Sequence, residues 1–330
     1  MDAELAALGA RLGAAITARA VRACLGVSAI PAVPQVGAAP PAPCPPAAAP
    51  IWLWCAGRAV AASAVERALA PAHVATALAA GLAVRDGDRL APAVRLAPLG
   101  RGLVVCDVAA RGDADRVPWP DDSTLHLIGC LPATVAGPWL DVGAGPAAAM
   151  LAAAPGAGPR RATDVNPRAL AWARLGLALA GRADVTVAEA DLTAGAGGGW
   201  ALITMNAPIP RPTGLVGADS QWHASVDDLP ARLWPAVSAL AAPGAEVLVH
   251  ATVDDDGAGA PPAALGGAVT VARYSPPGGR GFAVIRWRPD APARRRAASV
   301  VLGIGRPFVT RADLDAIEAG HHPHPTVDLR

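Results

Sequence analysis

Polar residues that could do chemistry gather at four places in an otherwise alanine-rich chain. Asp141-Val142-Gly143-Ala144-Gly145-Pro146 sets a carboxylate two residues ahead of the first of two glycines. Asp164 follows 23 positions after Asp141, inside Thr163-Asp164-Val165-Asn166-Pro167. Asp191 closes Glu189-Ala190-Asp191, and Asn206-Ala207-Pro208-Ile209 ends a further apolar run. Glycines just past a strand let the backbone approach a ligand, and open α/β sheets bind ligands at the carboxyl ends of their strands. An acid closing the second strand accepts both hydroxyls of a ribose. Acids ending three successive strands therefore point to an adenosine-containing cofactor. The string Gly143-x-Gly145-x-x-Ala148 also satisfies a loose dinucleotide fingerprint, so a nicotinamide cofactor has to be weighed. Two residues count against it. Asp141 stands where nicotinamide-binding strands are usually apolar, and its carboxylate can accept hydrogen bonds from a cofactor amino group. Pro146 lacks an N–H that a pyrophosphate would use.

The elements that must hold these residues are legible from Pro138 onward. The spacing predicts strands over 139–142, 161–165, 184–191 and 201–206. Helices are expected over 147–154, over 167–180 with proline in the first turn, and over 227–241. Strands near 245–251, 269–274 and 282–288 complete the series, the last two as a hairpin at the sheet edge. Alternation of this kind means an α/β fold: a Rossmann-like parallel sheet, expected to have seven strands, with helices on both faces.

At this point a resemblance becomes specific. Leu140-Asp141-Val142-Gly143-Ala144-Gly145, followed by Thr163-Asp164-Val165-Asn166-Pro167-Arg168-Ala169-Leu170-Ala171-Trp172-Ala173-Arg174, resembles the class I S-adenosylmethionine-dependent methyltransferases of the small-domain, HemK-like group. That group includes protein glutamine methyltransferases and ribosomal-RNA guanine-N2 methyltransferases, and the match spans about residues 120 to 290. The resemblance implies S-adenosyl-L-methionine as cofactor. Asp141, Gly143 and Gly145 would hold its methionine part, Asp164 the ribose, and Asp191 the adenine, with Asn166 and Asn206 also at the cofactor. In this group the fourth strand ends in Asn-Pro-Pro-Tyr or Phe, where the asparagine oxygen and the next carbonyl orient a substrate N–H and the ring stacks on a flat acceptor. Here Asn206 and Pro208 remain as the catalytic candidates, while Ile209 removes the ring. The expected acceptor is thus a nitrogen of a small molecule or peptide, such as an aliphatic amine. A protein glutamine or an rRNA base is the alternative, and a regulatory protein that binds the cofactor without catalysis is a third reading. His223, in the loop after the fourth strand, could take the proton of an ammonium substrate near neutral pH, or be a plain surface histidine. Ser123, Thr124 and His126 could close over the cofactor.

Ahead of the catalytic region the chain reads as a smaller α+β domain over residues 1–120, against 121–330 for the cofactor-binding domain. Residues 2 to 26 suit a helix with Leu5, Leu8, Leu12, Ile16 and Val21 near one face, and the proline-rich stretch 31–50 a stiff linker or arm. Two short helices, over 58–69 and 71–80, precede a hairpin turning at Asp86-Gly87, and together they resemble a winged helix. Arg58 and Arg67 are its only arginines before that hairpin, and formal net charge is +1, so a nucleic-acid partner is not expected. A homodimer contact or a substrate lid is the expected role of this module. The chain contains no lysine, and its densest basic run, Arg294-Arg295-Arg296, reads as a solvated turn. Five scattered cysteines without a C-x-x-C pair imply neither a disulfide framework nor a metal site. No secretory pattern opens the chain, and charges or prolines break each long apolar stretch, so a cytoplasmic protein without a membrane span is expected. His321-His322-Pro323-His324 reads as a tail rather than a metal site. A helix is expected from Arg311 with Thr310 as N-cap.

Overall fold

The computed structural model describes residues 2–41, 43–108, 115–208, 228–253, 259–274, 281–303, 305–321 and 326–328. In chain order the helices are α1 (Asp2–Ala15), α2 (Ala18–Leu25), α3 (Ala62–Leu69), α4 (Pro71–Ala79), α5 (Asp122–Cys130), α6 (Ala148–Ala152), α7 (Pro167–Leu179), α8 (Leu229–Leu240) and α9 (Arg311–Ala319). The first strands are β1 (Val60–Ala61), β2 (Ala83–Asp86), β3 (Arg89–Pro92), β4 (Val94–Leu99) and β5 (Gly102–Asp107). The later ones are β6 (Trp139–Val142), β7 (Arg160–Asp164), β8 (Val185–Glu189), β9 (Trp200–Asn206), β10 (Ala241–Thr252), β11 (Ala268–Tyr274), β12 (Phe282–Arg288), β13 (Arg294–Ser299) and β14 (Thr326–Asp328). They form two compact units. The first comprises Met1–Asp121, Gly145–Ala152 and Arg168–Ala183, the second Asp122–Ala144, Ala153–Pro167 and Asp184–Arg330.

In the first unit the helix expected over 2–26 is two helices. Thr17 is extended and its hydroxyl accepts the Ala20 N–H at 3.1 Å, so a fresh N-cap interrupts the run. Leu5, Leu8 and Leu12 of α1 are buried. Gly9 is required by a close approach, because a Cβ there would collide with the Leu179 carbonyl of α7. The proline-rich stretch is an anchored arm. It contains 3-10 turns at Ile30–Gln35 and Pro46–Ala48, and Arg58 donates to the Val36 carbonyl at 3.2 Å. A π-helical turn, Ile51–Cys55, buries all five of its side chains, with Trp54 Nε1 donating to the Leu82 carbonyl at 3.0 Å. Strands β1, β3 and β2 form a small antiparallel sheet in that order, with Gly87 at φ +58° in the β2–β3 turn. A second hairpin, β4–β5, was not anticipated from the sequence; nearly every residue of it is buried, so no in–out alternation marks it. Asp107 at its end ties down α7. Its carboxylate accepts from Arg168 Nη2 at 2.8 Å, Trp172 Nε1 at 3.0 Å and the Val117 N–H at 2.8 Å.

The second unit is built on one nine-stranded sheet, ordered β14-β13-β11-β12-β10-β9-β6-β7-β8. The stretch β8-β7-β6-β9-β10 is all parallel, while β12 runs antiparallel between β10 and β11. Seven strands were expected; β13 and β14 extend the edge to nine. Strand β13 corrects the reading of Arg294-Arg295-Arg296 as a solvated turn. Arg295 donates to the Pro261 carbonyl at 2.7 Å and Arg296 to the Glu318 carbonyl at 2.9 Å, so their charges are held against backbone dipoles as the run joins the sheet. One face of the sheet buries Ile203, Met205, Val247, Val249, Ile285 and Trp287 with Leu233 and Trp234 of α8. The alternate residues of the same strands face α5 and α9. Helix α9 opens as expected after Thr310, with Asp313 accepting the Thr310 N–H at 2.8 Å in a capping box. No single helix among the described residues is long and apolar enough to cross a membrane.

Candidate functional site

The order of the parallel strands reverses between β6 and β9, and that reversal is where an open α/β sheet offers a crevice. Asp141, in β6, is 3 % exposed there and sits beside Thr204 of β9 in register. Trp139 Nε1 reaches Thr204 Oγ1 at 2.9 Å, and Thr204 Oγ1 reaches Asp141 Oδ1 at 2.6 Å. An indole N–H can only donate, so the hydroxyl passes its own hydrogen to the carboxylate. Burial pushes the Asp141 carboxyl up to about 7; the Asp164 charge adds to this and the Thr204 hydrogen bond opposes it. Immediately beyond, Gly143 has φ +59° and Gly145 φ +54°, a conformation in which side chains other than glycine's are strained. The space a Cβ would take at Gly143 holds only the Met205 methyl, at 3.7 Å.

Asp164 ends β7, half-buried, and its Oδ1 accepts the Asn166 N–H at 2.8 Å. This local turn fixes the carboxylate at the strand end. Asn166 itself is 5 % exposed. Asp191 lies just past β8, exposed, and pairs with Arg232 of α8 at 2.6 Å.

Asn206 ends β9. Its Nδ2 donates to Ser123 Oγ at 2.9 Å and to Thr124 Oγ1 at 3.4 Å, both on α5. The amide is thereby held with Oδ1 inward, and that buried oxygen has no hydrogen-bond partner among the described residues. Pro208 is half-buried, following Ala207, whose N–H donates to the His250 carbonyl at 2.9 Å. Ile209 and His223 lie outside the described residues, as does the His322–His324 part of the histidine run. The structure thus groups Asp141 and Asn206 with Thr204, Ser123 and Thr124 on one face of the sheet. His126, on the same helix as Ser123, accepts the Val309 N–H at Nδ1 (2.8 Å) and stacks on Tyr274 at 3.8 Å. Sequence reasoning missed Thr204, His250 and Tyr274. Only the strand register brings them together, and no local spacing announces it.

Neither a protein-family model nor a curated protein matches the chain. Among solved structures it is similar to a predicted O-methyltransferase from Agrobacterium tumefaciens, with 19 % identity over 61 % of this chain and 97 % of that one, at a TM-score of 0.38. It is also similar to a precorrin-6y C5,15-methyltransferase from Geobacter metallireducens (17 % identity, 50 % and 88 % covered, TM-score 0.33). A third likeness is to a ribosomal protein L11 methylase from Lactobacillus delbrueckii subsp. bulgaricus (16 % identity, 50 % and 76 % covered, TM-score 0.33).

Proposed function

We propose that the chain is an S-adenosylmethionine-dependent methyltransferase that methylates a nitrogen of a small molecule or peptide in the cytoplasm. The observation that carries this reading is Asn206: its amide nitrogen is tied to α5, and its buried oxygen is left to accept a hydrogen bond at the end of β9. A buried acceptor is costly unless something donates to it, and a substrate N–H is the donor this reading supplies. The residues around it fit the cofactor. The positive φ of Gly143 and Gly145 and the open space at the Gly145 Cβ position leave room for a ligand against the backbone. The Asp141 carboxylate suits an ammonium group, and Asp164 suits vicinal ribose hydroxyls.

When bound, the sulfonium cofactor supplies an already activated methyl group. The chain's task is therefore alignment, exclusion of water and disposal of one proton. Asn206 orients the acceptor N–H and so aims its lone pair, and the Ser123 and Thr124 hydroxyls hold Asn206 in that rotamer. Asp141, positioned by Thr204 and Trp139, holds the methionine end. Asp191, now paired with Arg232, takes the adenine amino group in this reading. We read the segment with the order β1–α3–α4–β2–β3, in which β1 pairs with β3, as a winged-helix-like module for a homodimer contact or a substrate lid.

Calorimetric titration with S-adenosylhomocysteine, alongside NAD and the Asp164→Ala variant, tests the proposal. Saturable binding of the homocysteine nucleoside, lost in the variant and absent for NAD, is expected. Binding of NAD in its place would overturn the reading in favour of a nicotinamide cofactor.

A further inference from the structure

Arg95, in β4 of the first unit, is only 3 % exposed, yet no carboxylate among the described residues pairs with it. Its Nε and Nη2 donate to the Cys55 carbonyl at 2.9 and 2.5 Å, and its guanidinium lies over the Trp119 ring, 4.4 Å from the centroid. These contacts satisfy donors but leave the charge standing, and a buried cation is ordinarily paired. Two more arginines gather around it. Gly57 lies against its side chain, where a Cβ would fall 3.5 Å from Arg95 Cδ, and the next residue, Arg58, donates to the Val36 and Gly37 carbonyls. Arg116 precedes Val117, whose carbonyl accepts the Asp107 N–H at 3.0 Å, one residue past Cys106, the register partner of Arg95. Half-buried, Arg116 makes no hydrogen bond or ion pair among the described residues, and its Nε is fully enclosed. Burial holds the Arg95 pKa below the ordinary arginine value; the Cys106 and Cys55 thiols oppose this, and the Arg116 and Arg58 charges add to it.

The carboxylates of this region are engaged elsewhere. Asp107 follows Cys106, so strand alternation turns its side chain to the face opposite Arg95, where Arg168, Trp172 and the Val117 N–H hold it. Asp115 lies 3.6 Å from the same Arg168. Asp86 and Asp88, at the β2–β3 turn, pair with none of the three arginines among the described residues. No aspartate or glutamate at all occurs between Glu4 and Glu66, the stretch that supplies Cys55, Arg58 and the arm. We infer that Arg58, Arg95 and Arg116 together form an anion site in the first unit, and that it takes the dianionic phosphoryl group of a small phosphomonoester. A carboxylate would offset one of the three charges and a phosphoryl dianion two, and planar guanidinium forks match its oxygens. Arg116, with its whole guanidinium unengaged, and the Nε of Arg58 supply donors that the protein itself does not use. The site stands apart from the methyl-transfer reading and does not depend on it.

The test is calorimetric titration of the full-length protein with a matched pair of probes, phenyl phosphate and benzenesulfonate, near neutral pH, where the phosphomonoester carries close to two charges and the sulfonate one. Phenyl phosphate is expected to bind saturably and about tenfold or more tightly than benzenesulfonate. Arg58→Gln and Arg116→Gln should each weaken phenyl phosphate by about tenfold or more, while Arg67→Gln, at an exposed position on α3, should bind it as the parent does. Arg116→Gln removes an unpaired cation, so its urea midpoint should equal or exceed the parent's, which also shows the variant to be folded. Absence of phenyl phosphate binding overturns the inference. So does equal binding of benzenesulfonate, full affinity in both site variants, or an equal loss in Arg67→Gln, which would mean a diffuse positive field. A single-stranded oligonucleotide without a terminal phosphate is the last probe. If it binds more tightly than phenyl phosphate and is weakened by the same two substitutions, the arginines belong to a nucleic-acid backbone and the phosphomonoester assignment falls.

Discussion

Replacing Asp141 with asparagine separates what the carboxylate does for the fold from what it does for a ligand. Burial raises this carboxyl from an ordinary 3.8 to about 7 in the folded protein. The folded state therefore keeps its proton to higher pH than the unfolded chain does. Below about pH 4 both states are protonated and the residue carries no penalty. Between about pH 4 and pH 7 the folded state binds more protons, so stability falls as pH rises. Above pH 7 the penalty is complete, and about three pKa units correspond to roughly 4 kcal/mol. Asparagine has no such titration; its oxygen can still accept from Thr204, while its new N–H groups need partners at a cost of about 1–3 kcal/mol that does not vary with pH. The informative quantity is thus the change with pH. Between pH 5 and pH 8 the stability of Asp141→Asn relative to the parent should rise by about 2–3 kcal/mol. Urea unfolding of both proteins at the two pH values measures it directly, with equal m-values confirming that the unfolded states compare. A stability difference that stays flat across this range would refute the reasoning, because it would mean that Asp141 is not held protonated by burial.

The same ionisation should govern the cofactor. Affinity of the parent for S-adenosylhomocysteine, followed by calorimetry, should climb up to about tenfold per pH unit below pH 7 and level off above it, because only the ionised Asp141 pairs with an ammonium; Asp141→Asn should bind weakly without this dependence. Thr204→Val removes the hydrogen bond that holds the Asp141 carboxyl down, so the midpoint of that pH profile should move upward. Asp107→Ala leaves the Arg168 guanidinium and the Trp172 and Val117 N–H groups without their shared acceptor; the first unit should lose roughly 3–5 kcal/mol in urea unfolding.

Much of the second unit was legible because its strands and helices alternate with clear period changes. The acid of Asp141 falls in β6 and that of Asp164 closes β7, so two of the three acids sit in strands where the pattern placed them. Asp191 lies just past β8 and is engaged by Arg232, an arginine 41 positions downstream that no spacing rule links to it. The β4–β5 hairpin stayed invisible because a strand buried on both faces shows no alternation. Arg294–Arg296 misled for the opposite reason: a run of charge suggests solvent, yet the Pro261 and Glu318 carbonyls take up the Arg295 and Arg296 guanidiniums. In the motif around Pro167, Arg168 and Trp172 turn out to anchor α7 to Asp107, a bond across 61 and 65 positions. His250 was hidden most deeply, since one histidine between Val249 and Ala251 gains meaning only from its register with Asn206. Parallel pairing between strands about 40 residues apart is tertiary information, and the local sequence does not carry it.

The most direct test of the central claim is a crystal structure of the protein grown with S-adenosylhomocysteine. The nucleoside is expected at the carboxyl ends of β6 and β7, its ribose hydroxyls on the Asp164 carboxylate and its amino group facing Asp141. A nucleoside bound elsewhere, or a ribose that leaves Asp164 untouched, would contradict it.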